Sequence, residues 1–114
     1  MAEIKVKTAA MTRIGRHELD YASLAAEAVV AALAGAEPAM IRAVYLASFA
    51  PVELCGLSDP SRAIAEVLAA RAPSLCAPVL GPYKTGGEAL FHALQSMRAA
   101  PGDVLIVGCE KMTH

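Results

Sequence analysis

The stretch from Leu80 to His114 constrains the fold more than any other part of the chain. It opens on a Gly/Pro-rich turn, Gly81-Pro82-Tyr83-Lys84-Thr85-Gly86-Gly87, and continues as a helix-like run to Ala100. It closes on an apolar strand ending in Gly108-Cys109-Glu110-Lys111-Met112. A turn that delivers a side chain to the start of a helix, set between parallel strands, is where α/β proteins usually place their chemistry. A phosphate-binding loop would need G-x-x-x-x-G-K-[ST]. Here Gly81 and Gly86 are followed by Gly87 and Glu88, so the lysine and hydroxyl that hold phosphate and magnesium are missing. A nucleophile turn needs a cysteine or serine at the helix start, where free N–H groups and the helix dipole lower a thiol's pKa. The chain offers Tyr83 at that point.

The rest of the sequence supplies the support for such a turn. Ile4 to Ala10 alternates charged and apolar residues before becoming small and apolar, as a first strand entering a sheet does. Asp20 or Ser23 can cap a helix running to about Ala34 and stopped by Gly35. Between Leu24 and Ala34 only Glu27 is charged, which predicts a helix mostly covered by other structure or packed closely on a sheet. A short helical turn near Pro38 to Ile41 precedes a strand from Arg42 to Phe49, and Ala50 to Ser58 reads as a surface loop. Asp59-Pro60 is a helix-start signal. Ile64, Val67, Leu68 and Ala72 follow at helical spacing, and Pro73 ends the helix. Ala77 to Leu80 supplies a third strand, and the next helix displays Ala89, Leu90, Ala93, Leu94 and Met97 on one side. Val104 to Val107 makes a fourth strand whose lack of alternation predicts burial on both faces. The order is β-α-β-α-β-α-β. It predicts an α/β fold with right-handed crossovers and mainly parallel strands.

With 114 residues the chain makes one modest domain. A net charge of -1 with scattered basic residues implies neither nucleic acid nor an anionic membrane as partner. No apolar run reaches the roughly 20 residues that cross a bilayer. Glu3, Lys5 and Lys7 also interrupt the apolar core that a secretion signal would need, so a cytoplasmic location is expected. Cys55, Cys76 and Cys109 are odd in number and lack metal-ligand spacing. They read as reduced thiols, and no metal site is expected.

From Val79 to Met112 the order is apolar strand end, reactive position, small residue, Gly, apolar helix, Gly-Asp, apolar strand and Gly-x-Glu-x-Met. This resembles the N-terminal half of a thiolase, the acetyl-CoA acetyltransferase family, particularly its sterol-carrier-protein-like and archaeal branches ending in G-x-E-K-M-T. Counting back from Glu110 with one deletion around Pro101-Gly102, the family's acyl-accepting cysteine falls on Tyr83, with Thr85 and Gly86 where its Ser-Gly stands. Thr12-Arg13-Ile14-Gly15-Arg16 is similar to the family's T-x-x-G turn.

The resemblance implies a partial thiolase-like N-terminal domain over residues 1–114. Its mainly parallel four-stranded sheet would have the order 3-2-1-4 and helices on both faces, with the helix after Tyr83 central. It also implies a coenzyme A thioester as substrate, with no covalently bound cofactor. Arg62 falls where thiolases commonly carry an arginine, but reads as a solvated first-turn residue. Leu75-Cys76-Ala77 copies the family's Leu-Cys-Ala seven residues too early, so Cys76 reads as a small buried apolar residue in or beside a strand. His92 reads as a helix-surface or interface histidine.

The resemblance spans nearly the whole chain, yet only the opening part of a full thiolase. The family's catalytic histidine, second cysteine and most of its coenzyme A site come from later segments. The expectation is therefore a fragment, or a small subunit completed by a partner, without independent transferase activity. A phenol of pKa about 10 is a poor acyl acceptor at neutral pH, and acid/base work suits a tyrosine better. Some thiolase-like proteins without the cysteine act as retro-aldolases on acyl-CoA side chains, using tyrosines and a small partner subunit. A non-catalytic assembly subunit, with Tyr83 filling space, stands beside these. Leu90, Phe91 and Leu94 cannot all face one sheet at a 100° step. A dimer or larger assembly is thus expected, through that helix face or by edge pairing near Ala77 to Leu80.

Overall fold

A computed structural model of the chain describes residues 5–12, 20–48 and 59–109. Ile4, Arg13 to Arg16, Phe49, the stretch from Ala50 to Ser58 expected to be a loop, and the Glu110-Lys111-Met112 motif lie outside the described residues. Helix α1 (Tyr21–Leu33) starts where the Asp20 carboxylate accepts a hydrogen bond from the Ser23 N–H at 2.8 Å. A 3-10 turn (Pro38–Met40) leads into β1 (Ile41–Ala47). Helix α2 (Pro60–Arg71) begins with proline, and the Asp59 carboxylate accepts from the Arg62 N–H at 3.2 Å, as the Asp-Pro signal predicts. Strand β2 (Val79–Tyr83), helix α3 (Gly86–Ala99) and strand β3 (Asp103–Gly108) follow.

The three strands are parallel, in the order β2-β1-β3. Because β1 is central, alternate residues feed two different cores. Val44 and Leu46 point into a large cluster with Leu24, Val29, Ile64 and Leu68, under α1 and α2. Ala43, Tyr45 and Ala47 point the other way and meet Ala89 and Ala93 of α3. Alanine against alanine lets α3 lie close to the sheet, so the apolar positions seen in the sequence divide. Ala89 and Ala93 are fully covered, while Leu94 and Met97 are only half-buried. Helices thus cover both faces, as expected of an α/β domain. Among the described residues no helix is long and apolar enough to cross a membrane.

Two expectations about the strands require correction. The order 3-2-1-4 placed a strand from Ile4 to Ala10 between the second and fourth strands. Instead β1 and β3 pair directly from Ile41 and Asp103 to Ala47 and Gly108, and the Cys109 N–H continues the ladder to the Ala47 carbonyl at 3.0 Å. No room remains between them. Residues 5–10 belong to no strand and are largely exposed. The second correction concerns β3, expected to be buried on both faces. As an edge strand it buries Val107, leaves Val104 and Leu105 half-buried, and leaves Ile106 40% exposed.

The α3–β3 junction is fixed by Arg42, whose Nη2 donates to the Ser96 carbonyl at 3.0 Å and to its Oγ at 2.9 Å. A cation there also complements the negative end of the helix dipole. Gly102 next to it has φ +133°, and a Cβ would come within 2.6 Å of the Arg42 Cδ, so only glycine fits.

Candidate functional site

Tyr83 is the last residue of β2, at the carboxyl end of the parallel sheet, where open α/β folds place ligands. Three backbone contacts hold it there. The Ser48 N–H, just past β1, donates to the Tyr83 carbonyl at 2.8 Å. Ser61 Oγ, in the first turn of α2, donates to the Gly81 carbonyl at 2.7 Å. Gly81, at φ +115° and followed by a cis bond to Pro82, passes so close to β1 that a Cβ would lie 2.7 Å from the Leu46 carbonyl oxygen. Beyond Tyr83 the chain enters α3 through a variant of the capping box, in which the glutamate reaches the residue before the N-cap. Thr85 Oγ1 accepts from the Glu88 N–H at 3.0 Å, and the Glu88 carboxylate accepts from the Lys84 N–H at 3.0 Å.

The expected turn from Gly81 to Gly87 is therefore strand in its first half, and Tyr83 precedes the N-cap instead of sitting on the helix. Its half-buried ring is stacked. The His92 ring lies over it at 4.5 Å between centroids and 19° between planes, and Tyr45 lies at 6.2 Å and 27°. Phe91 meets His92 edge-on at 5.5 Å. From the buried Tyr45 outward, the order is Tyr45, Tyr83, exposed His92. A phenol and an imidazole side by side at an open rim can share the donation and removal of protons on a bound group.

His92 is exposed on the surface of α3, as the sequence reading has it; what that reading did not foresee is its stacking on Tyr83. Its signal was present in the spacing. Glu88 and His92 stand four apart on α3, so the face carrying the capping carboxylate returns one turn later beside the strand that delivered Tyr83.

The other candidates lie elsewhere. Cys76 is exposed, with its Sγ 3.7 Å from the Pro73 carbonyl, which corrects the expectation of a small buried residue. The loop before β2 leaves it on the surface, at the opposite end of that strand from Tyr83. Cys109 is buried in the cluster under α1 and α2, across the sheet from the Tyr83 stack, and its thiol donates to the Tyr21 carbonyl at 3.6 Å. Arg62 is solvated and, among the described residues, pairs with Glu66 at 3.4 Å. Cys55 lies outside the described residues. Among the described residues no group of His, Cys, Asp and Glu side chains could hold a metal ion. No protein-family model, curated protein or solved structure matches the chain.

Proposed function

We propose that the chain is the N-terminal part, or a subunit, of a thiolase-like acyl-CoA enzyme in which Tyr83 stands where the family has its acyl-accepting cysteine. The observation that carries this proposal is the position of Tyr83, ending β2 at the carboxyl rim of a parallel sheet and leading into the capped start of α3. A coenzyme A thioester is the proposed substrate, with its acyl group at the stack of Tyr83 and His92. The partial thiolase-like domain is part of the same proposal, although the direct pairing of β1 with β3 departs from the 3-2-1-4 order.

The chain is proposed to lack independent transferase activity. A tyrosine hydroxyl is a weaker nucleophile than a cysteine thiol, and neither Cys76 nor Cys109 lies in the stack to replace it. The contact with His92 favours a second reading of the same site, as an acid/base pair in a retro-aldolase on an acyl-CoA side chain completed by a partner subunit. A titration with acetoacetyl-CoA in the presence of free CoA tests the proposal. The expected result is that the Tyr83 and His92 ring resonances shift and no acetyl-CoA forms.

Self-association belongs to the same proposal. Leu80, Leu90 and Phe91 are 38%, 47% and 57% exposed, and no described strand pairs the outer edge of β2. A second copy joined along β2 would satisfy that edge and cover Leu80. Sedimentation velocity at micromolar concentration is expected to show a dimer or larger species. A monomer that binds no apolar dye contradicts this part of the proposal.

A further inference from the structure

We infer that the outer edge of β3 is a strand-accepting surface and that its occupant is the chain's own segment of residues 5–10. The first observation is the edge itself. The Cys109 N–H points to β1, and backbone direction alternates along a strand, so the N–H groups of Leu105 and Val107 also face β1. Those of Val104 and Ile106 face outward, where no described strand meets them.

The second observation is the space beside that edge. A cavity of about 300 Å³ is lined both by residues 5–8 and by β3. Leu90, Leu94 and Met97 of α3 wall it on one face of the sheet, and Leu33 at the end of α1 and Ala36 beyond it wall it on the other. A slot with one strand as its floor and apolar walls on both sides has the shape of a missing edge strand.

Third, residues 5–10 are already tied to that slot at two points. Lys7 Nζ lies 3.0 Å from Asp103 Oδ2 at the start of β3, and Thr8 Oγ1 donates to the Ala32 carbonyl at 3.0 Å near the end of α1. The sequence of the segment fits the slot. With Thr8 toward α1, strand alternation would bring Val6, which is 86% exposed in the unpaired segment, to the same side, toward Leu33 and Ala36. Lys5 and Lys7 then lie toward α3, where their stems cover Leu94 and Met97 while the ammonium groups stay in water. Lysines on the new outermost strand also discourage pairing with another chain. This inference stands on the geometry of the β3 edge and does not depend on the acyl-CoA proposal.

Amide hydrogen exchange on the full chain, read residue by residue, tests it. Val104 and Ile106 are expected to exchange on the order of 100-fold more slowly than open-edge amides. Val6→Pro and Lys7→Pro together remove a ladder N–H in either register. One or both are expected to release that protection while Val44 and Leu46 stay protected, which reports that the fold survives. Rapid exchange at Val104 and Ile106 in the parent chain overturns the inference, as does protection that survives both proline variants. Protection that rises with protein concentration assigns the edge to a second copy and overturns it too. Loss of the through-space contact between Val44 and Leu105 would place a strand between β1 and β3, and that result also overturns the inference.

Discussion

Leu46→Ala lowers the unfolding free energy by about 2 to 5 kcal/mol, the range for emptying a fully covered leucine site. Leu46 has no exposed surface and projects from the central strand into the cluster with Val29, Ile64 and Leu68. Collapse around the vacancy is limited because β1 is hydrogen-bonded on both sides. A urea titration measures the effect as a fall in midpoint with an unchanged slope, since the surface exposed on unfolding hardly changes. The same experiment reports on register. A slip of one residue would move Leu46 to the α3 face and exchange it with Tyr45. A loss below about 1 kcal/mol, outside the usual range for a buried leucine, would contradict this register.

Gly81→Ala is the second large effect. Alanine at φ +115° carries backbone strain of about 1 to 3 kcal/mol, and its Cβ would press on the Leu46 carbonyl oxygen at 2.7 Å and the Tyr83 nitrogen at 3.0 Å. Neither contact is a side-chain end that can swing away. β2 must therefore shift from β1 or rotate Tyr83, and the stack on His92 should loosen together with the loss of stability. Chemical denaturation gives the first quantity, and the ring-current shifts of Tyr83 and His92 give the second. Gly86→Ala is the control. A Cβ there meets nothing within 4 Å, and alanine is the better helix former, so stability should hold or rise slightly. Equal effects at the two glycines would contradict the close approach of Gly81 to β1.

How much of this was legible in the sequence depended on whether the signal was local. Asp20, Asp59-Pro60 and Thr85 cap their helices through contacts three residues away, so the start of α2 was legible at Asp59-Pro60 and that of α1 was narrowed to Asp20 or Ser23, of which Asp20 is the cap. The apolar run from Arg42 to Phe49 also marked a strand, which the structure has at Ile41–Ala47 and at the centre of the sheet. The similar run in β3 misled, since absence of alternation shows only that both faces favour apolar cover and not that the cover is present. Strand order depends on which backbone edges meet, and no local pattern records that. The expected insertion of a strand between β1 and β3 came from resemblance alone.

At the site, Tyr83 was singled out by its place between the apolar end of β2 and the glycines opening α3. The spacing of Glu88 and His92 put the histidine on the face of the capping carboxylate, but its contact with Tyr83 also needed α3 to fold back over β1. The burial of Cys109 and the exposure of Cys76 were likewise decided by what packs around each thiol. Residue type alone favours burial for both.

The most direct test of the acyl-CoA proposal is a nuclear magnetic resonance titration of the full chain with acetoacetyl-CoA and free CoA, following protein and ligand signals together. The proposal predicts that the Tyr83 and His92 ring resonances shift in a saturable manner while acetoacetyl-CoA remains intact. An unmoved ring pair at saturating ligand would contradict the site. Steady accumulation of acetyl-CoA, abolished by alkylating Cys76, would contradict the assignment of Tyr83 and the claim that the chain cannot transfer acyl groups alone.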